Sequence, residues 1–348
     1  MLYQYFIRRI LLIFPTFLGV TLVVFMILQI VPGGPLEQEI MKLKSGLAQG
    51  GEVGAAGTMD NMGSIEIPEA AMEEMKKFYG FDKPVPYRYS SWLFNIFNLN
   101  LGRSYVYAQP VWDLMMSRIH ISAYFGIIGF LLSYSVCVPL GVFKAIKHGS
   151  GFDAASSILV FIGYSIPGYV LGLVLLMLLG GGSFWDVFPL GDFRSYDMWD
   201  SFTLFEKIKD QLWHTVLPVI AYMIGSFATL TVMMKNSLLE NLSQDYVRTA
   251  FAKGLSEKRV IFLHTLRNSL IPIATGIGGL LGIFFAGSYL IERVFNIDGI
   301  GMLGYMSILQ RDYPVTLGFL VIGTFIRLFG NIISDMAYAA IDPRIRFK

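Results

Sequence analysis

Six long apolar runs constrain the fold of this chain more than any other feature. A helix needs about 20 mostly apolar residues to cross the hydrocarbon core of a bilayer. Six stretches are long and apolar enough: residues 10–31, 119–143, 154–179, 212–234, 270–291 and 314–341. Only 15% of all residues are charged, whereas a soluble domain carries about 25%. The sequence therefore predicts an all-α integral membrane protein with six transmembrane helices.

The first run is predicted to be a retained helix and not a cleaved signal peptide. It is longer than the apolar core of about 7–15 residues that signal peptides use, and no small-x-small cleavage pattern follows it. The predicted organisation is then an N-terminal helix at 1–31, an external segment at 32–118, a transmembrane domain at 119–341 that holds the other five spans and a cytoplasmic loop at 235–269, and a tail at 342–348.

The distribution of lysine and arginine predicts which side of the membrane each loop faces. Short cytoplasmic loops are enriched in these residues, whereas long external segments translocate largely regardless of charge. One side receives Arg8 and Arg9, Lys144 and Lys147, the basic residues of 235–267, and the basic tail. Both termini and the 235–269 loop are therefore predicted to be cytoplasmic.

The stretch 243–272 is the longest polar interruption between apolar runs in the second half of the chain. Ser243 is predicted to cap a short helix and Gly254 to end it. Ser256 is predicted to cap a second helix that stops before Pro272. Helical spacing places a set of apolar residues on one face of the first helix: Val247, Ala250, Phe251 and Leu255. Such a segment would be a rigid projection between two spans.

Polar and small residues inside the spans mark places where function or packing is concentrated. Tyr164, Ser165 and Pro167 put polar groups and a predicted kink at membrane depth, which favours either a packing kink or a cavity wall. Gly278 and Gly282 form a GxxxG pattern that lets helices pack closely. Arg327 and Asp335 are charged residues in the last span, and about 12 Å of helix rise separates them.

No catalytic or nucleotide-binding motif is present in the sequence. No Gly-x-x-x-x-Gly-Lys-[Ser/Thr] loop, zinc-ligand cluster or Gly-x-Ser-x-Gly elbow occurs. Energy for any transport must therefore come from a partner or from an ion gradient. A self-sufficient ion-coupled carrier or channel remains an alternative interpretation, and an intramembrane enzyme ranks last. No cofactor or metal is expected to bind this chain, and a net charge of +2 does not indicate nucleic acid.

Several short motifs occur along the chain: TAFAKG with LHTLRNSLIP, YGFDKP, NLNLGRSY, IGYSIP, LWHTVLP, VFNIDGIGMLGY, RDYPV and YAAIDPRIRFK. Together they resemble the permeases of binding-protein-dependent ABC importers, in their dipeptide and oligopeptide branch, and within that branch the YejB-type permeases. The loop pattern of that family often opens Glu-Ala-Ala, where this chain has Arg248-Thr249-Ala250.

The resemblance implies a type I ABC importer permease (MetI-like) fold, a multi-pass location in the cell inner membrane, and a non-catalytic role. The implied partners are a second homologous permease, ABC ATPase subunits that bind ATP and Mg, an extracytoplasmic peptide-binding protein, and membrane lipid. The implied substrates are oligopeptides, including peptide antibiotics of the microcin C type; nickel or another small solute is an alternative cargo. Segment 243–270 would contact the ATPase.

Two sets of site residues follow from the resemblance. The implied ATPase-coupling residues are Tyr246, Val247, Thr249, Ala250, Ala252, Lys253, Gly254, Leu255, Lys258, Arg259 and His264. The residues expected along the translocation path are Tyr164, Ser165, Pro167, Gly282 and Ser288.

Overall fold

The structure is a computed structural model that describes residues 2–31, 34, 36–37, 40, 69–78, 80–182, 184–275 and 287–341. Within these ranges the chain is mostly helical, and its β-pairing is limited to two isolated bridges, Arg103 with Pro110 and Gly180 with Phe188. The 36–67 insert and the GxxxG glycines Gly278 and Gly282 fall largely or wholly outside the described residues. The predicted helical fold class is confirmed at this level.

Fourteen helices are described here in chain order, together with one 3₁₀ turn and one π-helical turn. In the first half they are α1 (Leu2–Ile30), α2 (Glu69–Phe78), α3 (Val85–Phe97), α4 (Val111–Ile146), α5 (Gly151–Ser165) and α6 (Gly168–Leu179). After a short 3₁₀ turn at Trp199–Ser201 come α7 (Leu204–Leu242), α8 (Asp245–Ala252), α9 (Glu257–Arg259), a π-helical turn (Val260–Thr265), α10 (Leu266–Ser269), α11 (Ile271–Thr275), α12 (Tyr289–Val294), α13 (Ile300–Leu309) and α14 (Tyr313–Ile341).

Within the described ranges, four helices are long and apolar enough to cross a membrane, and a bent pair makes a fifth candidate. The four are Tyr5–Ile30 of α1, α4, α7 and Tyr313–Ile333 of α14. Apolar side chains remain on the surface of these helices, as Leu11 and Phe14 of α1 show with about 60% of each side chain exposed. Residues 276–286 of the predicted span at 270–291 lie outside the described residues.

The bent pair is α5 and α6, whose axes meet at 96°. Ile166 adopts an extended backbone between them, and Pro167 then begins α6. Proline disfavours the helical conformation of the residue before it, so the helix ends at Ser165 and restarts at Gly168. The sequence predicted a kink within one continuous span; the break is much sharper than that prediction.

The chain divides into two compact units. Unit 1 comprises residues 1–9, 116–303 and 326–348. One of its cores is built around Phe125 and Phe295, which are both fully buried with Leu217. A second core joins Val142, Met234 and residues near them on α4, α7 and α11.

Unit 2 comprises residues 10–115 and 304–325. Aromatic side chains hold α1 in this unit: Phe17 packs against Phe325, with ring centroids 4.6 Å apart, and Phe25 packs against Tyr89 and Trp92 of α3. Asp312 is fully buried and accepts hydrogen bonds from the Ser104 hydroxyl and from the Tyr105 backbone N–H. This carboxylate therefore ties the loop before α4 to the start of α14.

Candidate functional site

The predicted projection begins where α7 ends. Ser243 terminates α7, and its hydroxyl donates to the Glu240 carbonyl at 2.7 Å. Gln244, without a side-chain capping bond, occupies the N-cap of α8. The prediction that Ser243 caps the following helix is therefore wrong by one position: its hydroxyl bonds back into the helix that it ends.

Helix α8 rests on the segment that follows it. Val247 and Ala250 are buried and form a small core with Val260 of the π-helical turn, and Leu242 and Leu255 pack around them. Phe251 was predicted on this same face, but 45% of it is exposed. The buried face is thus narrower than the apolar spacing suggested, since Val247 and Ala250 are covered and Phe251 is not.

Gly254 makes the corner between the two helices. Its φ is +76°, a left-handed conformation that glycine adopts without strain. The Gly254 N–H bonds to the Phe251 carbonyl at 2.9 Å, and the Leu255 N–H bonds to the Ala250 carbonyl at 3.3 Å. A Cβ atom added at Gly254 would meet nothing within 4 Å. The backbone angle, and not crowding within this chain, therefore requires glycine here.

A π-helical turn fastens the second half of the segment. The Thr265 hydroxyl donates to the Val260 carbonyl at 3.1 Å, and the Ser269 hydroxyl donates to the Thr265 carbonyl at 2.9 Å. From α7, the Ser237 hydroxyl donates to the Ser269 carbonyl at 2.9 Å. All three side chains are buried.

π-Helical turns are rare and occur frequently at functional sites. The sequence analysis missed this turn, since no residue pattern marks it.

Exposure sorts the eleven predicted coupling residues into two groups. Val247 and Ala250 are buried and Leu255 is half-buried, so these three hold the segment together and do not face solvent. The other eight are exposed: Tyr246, Thr249, Ala252, Lys253, Gly254, Lys258, Arg259 and His264. Phe251 joins the exposed group although it was not predicted there. The segment therefore presents a small, glycine-cornered tip flanked by aromatic and basic side chains.

A buried ionic cluster lies on α7 two turns before the projection. The Lys235 ammonium lies 2.8 Å from both oxygens of Asp153 at the start of α5. Lys144 of α4 lies 3.1 Å from Asp153 Oδ1 and donates to the Ser156 and Ser157 hydroxyls at 2.8 Å each. Lys144 and Asp153 are buried. The cluster therefore ties α4, α5 and α7 together beside the segment.

The break at Pro167 and Ser288, two of the predicted path positions, lie beside the middle of α7. Tyr164 and Ser165 are exposed at the end of α5, and the Ser165 hydroxyl donates to the Phe161 carbonyl at 2.9 Å. Gly168, just after Pro167, packs so closely on α7 that an added Cβ would lie 2.4 Å from the Ala221 carbonyl oxygen. The Ser288 N–H donates to the Tyr222 hydroxyl at 3.1 Å. The break after α5 and Ser288 therefore meet neighbouring residues of one helix, whereas Gly282 lies outside the described residues.

Beyond Ser288, a buried glutamate anchors the next corner. Glu292 of α12 is fully buried. It accepts hydrogen bonds from the Ser122 hydroxyl at 2.8 Å and from the Met302 N–H at 2.6 Å, and Ser122 accepts one from the Ile300 N–H at 2.7 Å. These bonds satisfy donors at the first turn of α13. Burial raises the pKa of the Glu292 carboxyl.

The two charged residues of the last span do not contact each other. Asp335 forms an ion pair with Arg9 of α1 and accepts a hydrogen bond from the Tyr5 hydroxyl at 3.2 Å. The expectation that the rise between Arg327 and Asp335 prevents a direct pair agrees with this arrangement. Within the described residues, no group of three or more His, Cys, Asp or Glu side chains is arranged to hold a metal ion.

Comparison with known proteins places this architecture in one family. A model of the binding-protein-dependent transport system inner membrane component family matches residues 137–347. The chain is 37% identical to the peptidoglycan transport system permease protein YejB of Agrobacterium fabrum, covering 99% of this chain and 98% of that protein. It is 39% identical to the inner membrane ABC transporter permease protein YejB of Escherichia coli O157:H7, covering 99% of each.

More distant similarities extend the comparison. The chain is 33% identical to the oligopeptide transport system permease protein AppB of Bacillus subtilis, covering 99% of each. Among solved structures, the MetNI methionine ABC transporter in inward-facing conformations aligns with 64% of this chain and 96% of its own, at a TM-score of 0.42 and 16% identity. The family match spans the projection, and the YejB similarity spans nearly the whole chain. The chain therefore belongs to the family of inner membrane components of binding-protein-dependent transport systems.

Proposed function

We propose that the chain is one of two permease subunits of an ATP-driven peptide importer. The observation that carries this proposal is identity of 37–39% over nearly the whole length of two YejB permeases, of which one is named for peptidoglycan transport. Relatives named for oligopeptide and dipeptide transport match over the same length. In this role the chain forms half of a peptide pathway and performs no catalysis itself.

The exposed tip of segment 243–270 is the proposed contact with the ATPase. Small residues at Ala252 and Gly254 leave room for a helix end to enter a groove, and Lys258 and Arg259 supply charge for an acidic rim. Electrostatic complementarity of this kind favours specificity and association rate. ATP and Mg are proposed to bind the ATPase subunits, and no cofactor is assigned to this chain.

The buried contacts of the segment suit the transfer of motion. Val247 and Ala250 pack on Val260, and the Ser237 hydroxyl bonds to the Ser269 carbonyl. A segment held at both ends cannot deform easily without breaking these contacts, so displacement of its tip would move α7 and α10 together. Such a displacement is a hinge or shear motion between inward-open and outward-open states. Both termini and the segment are proposed to be cytoplasmic.

The path itself is proposed to pass the break between α5 and α6. The 96° bend frees backbone groups that only protein or cavity water can satisfy in a bilayer. Tyr164 and Ser165 are exposed beside the break. The Ser288 N–H donates a hydrogen bond to the hydroxyl of Tyr222 in α7.

The first experiment separates the importer from a self-sufficient carrier. Proteoliposomes that contain this chain with its partner permease, ATPase subunits and binding protein should take up a radiolabelled tripeptide only when ATP is supplied. Proteoliposomes with this chain alone should take up none, with or without an ion gradient. Gradient-driven uptake by the chain alone would overturn the proposal.

The second experiment tests the docking face. Ala252→Trp places a bulky group on the exposed tip. We expect it to lower both ATPase co-purification and peptide uptake by about tenfold or more, which corresponds to about 1.4 kcal/mol of binding free energy. Ala252→Ser at the same position should retain both. Equal co-purification of the two variants would show that the tip does not enter a partner.

A further inference from the structure

Unit 2 contains a cavity that the transport role does not account for. Its volume is about 570 Å³. Its walls come from the C-terminal end of α1, from α3, from the loop at 100–108 and from the first turns of α14. Phe25 and Leu317 contribute apolar wall, and Tyr87, Trp92 and Tyr313 contribute aromatic wall. All of these residues belong to the same compact unit.

Two buried donors that line this cavity lack acceptors. Arg88 Nε and Trp92 Nε1 are buried and have no hydrogen-bond partner among the described residues. The Arg88 guanidinium lies over the Phe81 ring, 4.8 Å from its centroid. Leaving a buried donor unsatisfied costs about 1–3 kcal/mol, and more when the group is charged. A ligand that supplies an oxygen acceptor would remove this cost.

The charge of the lining is one-sided. Among the described residues, Lys83, Arg88 and Arg103 line the cavity and no carboxylate does. The nearby Asp312 carboxylate already accepts bonds from the Ser104 hydroxyl and the Tyr105 N–H, and Glu37 lies near Tyr313. Burial lowers the pKa of the Arg88 guanidinium, as expected for a desolvated cation. The occupant is therefore an anion.

The surroundings indicate that this anion carries an apolar chain. Phe94, Phe97 and Leu99, at and just after the end of α3, are each more than 60% exposed. Aromatic and apolar side chains of this kind, next to the ends of two spans, are typical of the membrane interface. A basic cavity beside such a surface suits a lipid headgroup. A soluble anion would leave the exposed side chains of Phe94, Phe97 and Leu99 uncovered.

We propose that the cavity binds the headgroup of one anionic phospholipid, with its phosphate oxygens accepting from Arg88 Nε and Trp92 Nε1 and its acyl chains outside the cavity, against Phe94, Phe97 and Leu99. The site would fasten α3 to the membrane ends of α1 and α14. It does not depend on the identity of the transported solute.

The test is native mass spectrometry of the detergent-purified full-length chain, titrated with dioleoylphosphatidylglycerol. The unsubstituted chain should bind one lipid molecule. Arg88→Gln should weaken its binding about tenfold, since a charge-assisted hydrogen bond is lost. Trp92→Phe keeps a ring in the wall but removes the donor, and it should weaken binding about fivefold.

Arg194→Gln is the matched control. The Arg194 guanidinium lies 4.5 Å from the Trp199 ring centroid, and its Nε is also buried without an acceptor, but it does not line the cavity. It should bind lipid like the unsubstituted chain. Equal lipid binding by Arg88→Gln, Trp92→Phe and Arg194→Gln would overturn the proposal. Unfolding midpoints of all variants, measured without lipid, exclude loss of folding as the cause.

Two competitors distinguish the possible anions. Glycerol phosphate carries the headgroup without acyl chains and should not displace the lipid at equal concentration. If it does, the site binds a soluble phosphate and the lipid assignment is wrong. Trialanine supplies a peptide carboxylate. Binding of trialanine that Arg88→Gln abolishes would identify a peptide site and would equally overturn the proposal.

Discussion

Two buried carboxylates in unit 1 are held in different ways. Asp153 lies beside two lysines, Lys235 at 2.8 Å and Lys144 at 3.1 Å, and so joins three helices by charge. Glu292 is bonded to the Ser122 hydroxyl and to backbone N–H groups at the start of α13. Asp153 stabilises the fold mainly through its charge, whereas Glu292 does so through its shape and its hydrogen-bond acceptors. Substitutions that separate charge from shape should therefore affect the two sites differently.

The largest effect is expected at the charged cluster. Lys235→Met should lower the free energy of unfolding by about 3 kcal/mol, because breaking a buried ion pair leaves a carboxylate without its nearest cation. Reaction of a thiol-specific dye with Cys137 measures unfolding, since this single cysteine is fully buried in α4.

The control for this prediction is Lys235→Arg. This variant keeps a cation beside Asp153 and should retain most of the stability that Lys235→Met loses. If Lys235→Met alone unfolds at the same denaturant concentration as the unsubstituted chain, the cluster does not hold the three helices together.

The next effect is expected at Glu292, where shape should matter more than charge. Glu292→Leu removes both acceptors from buried donors and should cost about 2 kcal/mol. Glu292→Gln keeps the shape and one acceptor and should cost less than about 1 kcal/mol. The same Cys137 assay applies to both. A glutamine variant as unstable as the leucine variant would mean that this carboxylate, like Asp153, acts through its charge.

The corner at Gly254 extends the comparison to a site with neither charge nor crowding. Gly254→Val forces a β-branched residue into a left-handed conformation and should cost about 1–2 kcal/mol. Gly254→Asn should cost less, since asparagine tolerates that conformation. Both leave the space around the corner open within this chain.

Uptake measurements sharpen the Gly254 prediction. If the proposed partner encloses the corner, Gly254→Asn should lower peptide uptake more than it lowers stability. An asparagine variant with undiminished uptake would mean that the corner needs only its backbone angle.

The smallest effect is a pH dependence between pH 4 and 8, which Glu292 should show and Asp153 should not. Burial raises the pKa of the Glu292 carboxyl above its ordinary value. The stability that its protonated form contributes is therefore fully present below the pKa of the unfolded chain. This stability is lost as the pH rises through the pKa of the folded chain. The unsubstituted chain should therefore lose stability relative to Glu292→Gln as the pH rises above about 4.5. Tryptophan fluorescence can follow unfolding between pH 4 and 8, and parallel curves would contradict the assignment.

Helix type and the main corner could be predicted because they depend on local signals. Gly254 was expected to end α8, and it has the positive φ that glycine permits. Asp335 and Arg327 were expected to lack a direct contact because helix rise is fixed by geometry. Four of the six apolar runs coincide with helices that are long and apolar enough to span a membrane.

Partners distant in sequence could not be predicted in the same way. Asp153 and Lys235 are 82 positions apart, and Ser122 and Glu292 are 170 apart. Helical spacing alone placed Phe251 on the buried face of α8. Spacing does not show how many neighbouring residues will cover that face. The π-helical turn depends on how Val260 and Thr265 pack against their surroundings, which local propensity does not encode.

The sequence by itself determined that this chain is helical, that it belongs in a membrane, and which segment interrupts the spans, because length, hydropathy and glycine placement act locally. The tertiary structure decided which residues of that segment face outward, how sharply the chain breaks at Pro167, and which buried charges find partners. These outcomes depend on contacts between residues far apart in the chain, where packing and desolvation select one arrangement among several that local preferences allow.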